Sequence, residues 1–105
     1  MNITLCGSCT LGQSGFAEPL GHALQQAEIA ADIAVIECMS GCSRASTIAF
    51  RDTGKTAYLF GDVTADDLPD LITFARLYRA AQDGNLSDAR PLGRLRTKAI
   101  ARIPA

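Results

Sequence analysis

Apolar residues recur at two different periods along this chain, and the switches between them mark out its elements. Ile3 and Leu5 alternate with polar neighbours, which predicts a strand over Asn2–Leu5 running straight into Cys6. Residues 6–15 (CGSCTLGQSG) are small and glycine-rich, as expected of a loop whose backbone wraps closely around something. Phe16, Leu20, Leu24 and Ala27 then fall at helical spacing, with Pro19 tolerable only in the first turn, so a helix is expected from Phe16 to about Ala30. Ile33–Glu37 is apolar up to its last residue and reads as a second strand that delivers the chain to Cys38.

Thr47–Arg51 and Thr56–Phe60 read as two further strands around Asp52-Thr53-Gly54-Lys55, a good hairpin turn. Thr64 and Asp67 have the spacing of a capping box. Leu68, Leu71, Ile72, Ala75 and Tyr78 follow at helical spacing and predict a second helix over about 65–81. Tyr58, Phe60, Phe74 and Tyr78 fit core positions better than a cofactor box. After residue 82 the pattern is less regular, with turns marked by Gly84, Pro91, Gly93 and Pro104, while Leu92, Leu95, Ile100 and Ile103 suggest packing against the body. A β-α-β unit followed by a β-hairpin and a C-terminal helix is the outline of a thioredoxin-like α/β fold. Here it would carry an extended basic C-terminal tail. No repeat or linker divides the chain, so residues 1–105 are expected to form one domain with a modest core.

Composition narrows the class without choosing a function. With 48% hydrophobic and 20% charged residues, the chain is an ordinary globular sequence rather than a disordered one. The N-terminal stretch has no basic region or long apolar run, so a cytoplasmic location is the expectation and a membrane partner is not. The net charge of −1 conceals an asymmetry. Nine acids and three bases precede Leu71, and seven bases and two acids follow Asp70. An acidic body with a basic tail can steer charged partners. Arg90, Arg94, Arg96, Lys98 and Arg102 lack an interleaved aromatic platform, so nucleic acid is not an expected partner.

The four cysteines change the picture most. They form two pairs, Cys6-Gly-Ser-Cys9 and Cys38-Met-Ser-Gly-Cys42, separated by 28 residues. This is the spacing by which two loops give one metal centre four thiolates, suiting zinc or an iron–sulfur cluster. Each pair lies just after a predicted strand. If those strands are parallel neighbours joined by the helix, the two pairs meet. Two disulfides are one alternative, though they belong mainly to secreted chains. A dithiol redox site at Cys6 and Cys9 is another, but it leaves Cys38 and Cys42 unexplained. His22 stands away from both pairs and reads as a surface residue. No catalytic Ser/His/Asp set, paired carboxylates or phosphate-binding glycine motif stands out.

The second pair lies in ECMSGCSRASTIAF, which resembles the second half of the thioredoxin-like [2Fe–2S] ferredoxins, where a C-x3-C after a strand leads into a hairpin. The first pair departs from that pattern, because those ferredoxins usually space it more widely. Over nearly its whole length the chain also resembles a bacterial family of predicted metal-binding proteins, domain of unknown function 1636. That match rests on Cys6, Cys9, the stretch from Cys38 through Cys42 to Arg44, the block GKTAYLFGD (Gly54 to Asp62) and the ending ARIPA. Many members of that family have a cysteine near Ser46, so its absence leaves Cys6, Cys9, Cys38 and Cys42 as the whole thiolate set. The ferredoxin resemblance implies a [2Fe–2S] electron carrier rather than an enzyme, a homodimer, and a redox partner protein. The alternative is a zinc-binding structural, interaction or metal-handling module without a redox role. A four-thiolate [2Fe–2S] cluster is anionic and becomes more so on reduction. The N–H groups of Gly7, Ser8, Gly41 and Ser43 and the Arg44 charge are therefore expected to compensate it. Ser8, Thr10, Met39, Ser40 and Arg44 are the residues expected to meet a partner.

Overall fold

The alternation that predicts a first strand produces the central one. β1 (Asn2–Cys6) pairs in parallel with β2 (Asp32–Ile36) on one side and antiparallel with β3 (Ile48–Arg51) on the other. The computed structural model describes residues 1–7, 13–36, 46–86 and 90–104 of the chain. β3 continues through the hairpin into β4 (Ala57–Phe60), and β4 pairs antiparallel with β5 (Ala99–Ile103). The sheet order is β2-β1-β3-β4-β5. The expected β-α-β unit and hairpin are both present, and the strand boundaries fall within a residue or so of those read from the pattern.

One face of the sheet carries the core. Ile3, Leu5, Ile48, Phe50, Tyr58 and Phe60 rise from it and join buried residues of two helices, α1 (Ala17–Gln26) and α2 (Leu68–Ala80). Phe74 of α2 is the hub. Its ring lies 4.7 Å from Phe50, 5.0 Å from Phe60 and 5.1 Å from Tyr58, each in an edge-on arrangement. Such pairs add about 0.5–1.5 kcal/mol each beyond the area they bury. All four aromatic residues expected in the core are in it. The opposite face carries shorter side chains, among them Thr4, Ala49, Ala57 and Ala101, and is only partly buried.

The first helix starts within a residue of the expected Phe16 but departs from its expected end. Gln13, assigned to a loop by its glycine-rich surroundings, is already helical, and a turn at 14–16 separates it from α1. At the other end α1 stops at Gln26 rather than near Ala30. Glu28 takes a left-handed backbone conformation (φ 59°). Its N–H then donates to Gln25 O (3.1 Å), and the Ile29 N–H donates to Leu24 O (2.9 Å). That is the hydrogen-bond pattern of a Schellman motif, with Leu24 and Ile29 buried together beneath it. The usual sequence signal is glycine at the left-handed position, and here a glutamate occupies it. Arg79 of α2 donates to the Glu28 carbonyl (2.8 Å), tying the end of one helix to the other.

α2 begins as the sequence predicts. Thr64 N–H donates to Asp67 Oδ2 (2.9 Å) to close the capping box, and a short 3₁₀ turn (Ala65–Asp67) leads into the helix. The helix ends against the hairpin, where Lys55 Nζ donates to the carbonyls of Tyr78 (2.9 Å) and Arg79 (3.1 Å). A cation at these carbonyls suits the negative end of the helix dipole.

The segment expected as an extended basic tail is built into the domain. Residues 90–97 form 3₁₀ turns that bury Leu92 and Leu95, with a kink at Gly93, and β5 follows as an edge strand. Lys98, between them, donates to the Asp62 carbonyl (2.8 Å) and to Asp67 Oδ2 (2.5 Å). Arg94 places a guanidinium nitrogen 3.7 Å from Asp67 Oδ1. Asp67 is fully buried, so its carboxylate is the anchor on which the segment closes. Among the described residues, no helix is long and apolar enough to cross a membrane.

Burial alone would push the Asp67 carboxyl up, but the Lys98 hydrogen bond, the Thr64 N–H and the charges of Lys98 and Arg94 outweigh it and hold it below the ordinary carboxylate value. The folded state therefore favours the ionised form. Its contribution is complete above the ordinary value, about pH 4, and is lost as the pH falls through the lower folded value. Denaturant titrations from pH 7 to pH 3 should show a shallower acid loss for Asp67→Asn than for wild type. At pH 7, Asp67→Ala should cost about 3–5 kcal/mol, because it leaves Lys98 partly buried opposite no charge.

Candidate metal centre

The strand alternation that sends Ile3 and Leu5 into the core turns Cys6 to the opposite face. Cys6 is 2% exposed, yet it is no part of the contiguous apolar cluster. Cys6 lies in register with Ile36 of β2, and its N–H donates to Thr47 O (3.3 Å), which extends the β1–β3 ladder by one pair. Two strands therefore flank the thiol. Ile36 precedes Cys38 by two residues, and Thr47 follows Cys42 by five.

Gly7 presses the first loop against the end of β2. Its N–H donates to Ile36 O (2.5 Å). A Cβ at this position would lie 2.8 Å from Val35 Cγ1 and 3.0 Å from Ile36 O, so the approach requires glycine. The Gly7 N–H, expected to face a cluster, is thus committed to the sheet. The glycine's role is to let the loops approach closely. Val35 and Ile36 themselves are exposed, at 53% and 42%.

On the other side, Ser46 turns the chain into β3 with a left-handed backbone (φ 65°), and its carbonyl accepts from the Val63 N–H (3.2 Å). Thr47 is 1% exposed, and its hydroxyl has no hydrogen-bond partner among the described residues. A buried polar group left in this state calls for an explanation. In the sequence, Thr47 reads only as the start of a strand. Only the β1–β3 register of the folded sheet places it directly across from Cys6.

Of the four expected ligands, Cys6 is placed by the structure, while Cys9, Cys38 and Cys42 lie outside the described residues. So do Ser8, Thr10, Met39, Ser40, Gly41, Ser43 and Arg44, the other residues expected at a cluster or docking face. At one end of β1, Gly7 is hydrogen-bonded to Ile36, which leads towards Cys38, and Cys6 to Thr47, which follows Cys42. Among the described residues, no group of three or more His, Cys, Asp and Glu side chains is arranged to hold a metal ion. His22 is exposed on α1.

A family model described as a protein of unknown function (DUF1636) matches residues 3–105. No curated protein and no solved structure matches the chain.

The close approach at Gly7 makes a direct prediction. Gly7→Ala should lower stability by about 1–3 kcal/mol, the usual range for forcing extra bulk into a filled site. Adding Val35→Ala should recover part of the loss in thermal melts, since it removes the nearest clashing atom at an exposed position. A recovery of nothing would place the strain at Ile36 O instead.

Proposed function

The chain belongs to that family of unknown function, and from its own residues we propose that it is a small [2Fe–2S] protein acting as a one-electron carrier. Cys6, Cys9, Cys38 and Cys42 would hold the cluster. The observation that carries this reading is the junction of Cys6, Gly7 and Ile36, where the first cysteine loop is hydrogen-bonded to the residue two before Cys38. A chain segment reaches at most about 3.6 Å per residue, so Cys9 and Cys38 each start from an anchor only two residues away. The donor set suits the group, because four thiolates are the ligand chemistry of iron–sulfur clusters and of structural zinc.

The choice of iron over zinc rests on the work each would do. Structural zinc substitutes for a core in folds too small to build one, and this domain has a closed aromatic core of its own. A [2Fe–2S] cluster, when bound, supplies one-electron exchange with no bond made or broken in a substrate. The chain is accordingly read as a carrier, not an enzyme. The parallel β1–β2 pair, the antiparallel β3 beside β1 and the following hairpin support a thioredoxin-like reading of the sheet, with β5 added at the edge. A cytoplasmic location and a redox partner protein belong to the same proposal.

Protein purified without oxygen should be red-brown, contain iron and sulfide, and bleach on reduction with the appearance of an EPR signal. Cys→Ala at any one of the four positions should remove or badly destabilise the cluster, because the chain has no spare thiol. A colourless protein carrying one zinc would move the assignment to a zinc-stabilised interaction or metal-handling module. The homodimer that the ferredoxin resemblance implies is checked separately by light scattering at micromolar concentration, where a monomer would dismiss it.

A further inference from the structure

We infer that the Thr47 hydroxyl is a hydrogen-bond donor to the metal-bound sulfur of Cys6, and so tunes the centre it helps to wall. The inference rests on the cluster reading above and adds to it a residue outside the cysteine loops. Two independent observations meet at this position. The first is geometric. β1 and β3 run antiparallel with Leu5 opposite Ile48, and the Cys6 N–H bond to Thr47 O carries the ladder to the next pair. Residues directly opposite in such a hydrogen-bonded pair sit about 5.5 Å apart at Cα, and their side chains rise from the same face. Leu5 and Ile48 point into the core, so Cys6 and Thr47 stand side by side on the other face.

The second observation is the state of the hydroxyl. Both residues are buried, Cys6 at 2% and Thr47 at 1% exposure, and neither is part of the apolar core cluster. The Thr47 Oγ1 has no hydrogen-bond partner among the described residues. Burying a hydroxyl without a partner costs free energy, so a fold that keeps one does so against its own stability unless a partner arrives. A ligated thiolate beside it would be that partner: it is negative, it is an acceptor, and it becomes more electron-rich on reduction. Hydrogen bonds to cluster sulfurs favour the reduced state and raise the potential.

The residue is thus a positioning and tuning group, and Thr47→Val is the informative change because it keeps the shape and removes the donor. Wild type, Thr47→Val and Thr47→Ser would be prepared anaerobically and titrated with a reductant while the visible bands are followed. Thr47→Val should lower the equilibrium constant for reduction three- to tenfold, a potential more negative by up to about 59 mV for one electron. Its sulfur-to-iron charge-transfer bands should shift, and Thr47→Ser should restore both. In the metal-free protein the sign reverses: Thr47→Val should raise the denaturant midpoint, because an orphaned hydroxyl has been removed. A loaded Thr47→Val protein with wild-type potential and bands would overturn the inference and leave the cluster reading standing. A metal-free Thr47→Val protein less stable than wild type would also overturn it, by giving the hydroxyl a structural partner. A wild-type protein that assembles no cluster would overturn both.

Discussion

β1 is hydrogen-bonded along both edges, to a parallel strand on one side and an antiparallel strand on the other, and this double pairing fixes the rest of the molecule. A strand in that position has no freedom of register. A slip of one residue would carry Ile3 and Leu5 out of the core and put Thr4 and Cys6 into it. The same pairing decides what surrounds Cys6, because the parallel partner brings the approach to Cys38 and the antiparallel partner brings Thr47. Core formation and the placement of Cys6 between Ile36 and Thr47 therefore depend on the same register. The glycine after Cys6 completes that placement by letting the backbone close onto Ile36.

A second set of constraints holds the far half of the sheet. α2 is fastened at its start by Asp67 and at its end by Lys55, and both fastenings reach across the chain rather than along it. Lys55 belongs to the hairpin, and Lys98 to the last segment. Gly84 shows how tight the packing is at the Lys55 end. A Cβ there would lie 2.9 Å from the Thr56 nitrogen and from the Tyr78 ring, and the residue's positive φ suits glycine in any case. Tyr78 adds a 2.6 Å bond from its hydroxyl to Thr56 O, so a residue at the centre of the apolar core also secures a polar turn.

The sequence made the β-α-β unit, the hairpin, the capping box and the aromatic core legible, because each rests on local spacing or on a residue type with one dominant use. Three features escaped it for physical reasons. Glu28 holds a conformation that glycine normally marks, so the end of α1 carried no signal. Asp67 looked like a helix cap and nothing more, since a capping residue does not announce that a lysine and an arginine from a distant segment will bury it. Those two cations were counted into a charged tail, whereas two of its five bases serve the fold. At the candidate centre, the parallel neighbourhood of the strands that carry Cys6 and lead to Cys38 was legible from the pattern. The orphaned hydroxyl of Thr47 was not, because it exists only once register and burial are known.

The bond between Asp67 and Lys98 spans 31 residues, and this has a bearing on the order in which the chain folds. During synthesis β1, α1, β2 and the hairpin emerge first and contain most of the core. Asp67 follows, but its carboxylate has every reason to stay in water until Lys98 is available, since burying it alone leaves a bare charge in an apolar wall. Seating of the first turn of α2 therefore waits for the last strand. Chains leave the ribosome at roughly 5–20 residues per second, so this interval is on the order of seconds. Throughout it, the sheet ends at β4, and the aromatic face behind Tyr58 and Phe60 lacks its final cover. The nascent protein is most exposed to wrong pairing in the interval before β5 arrives.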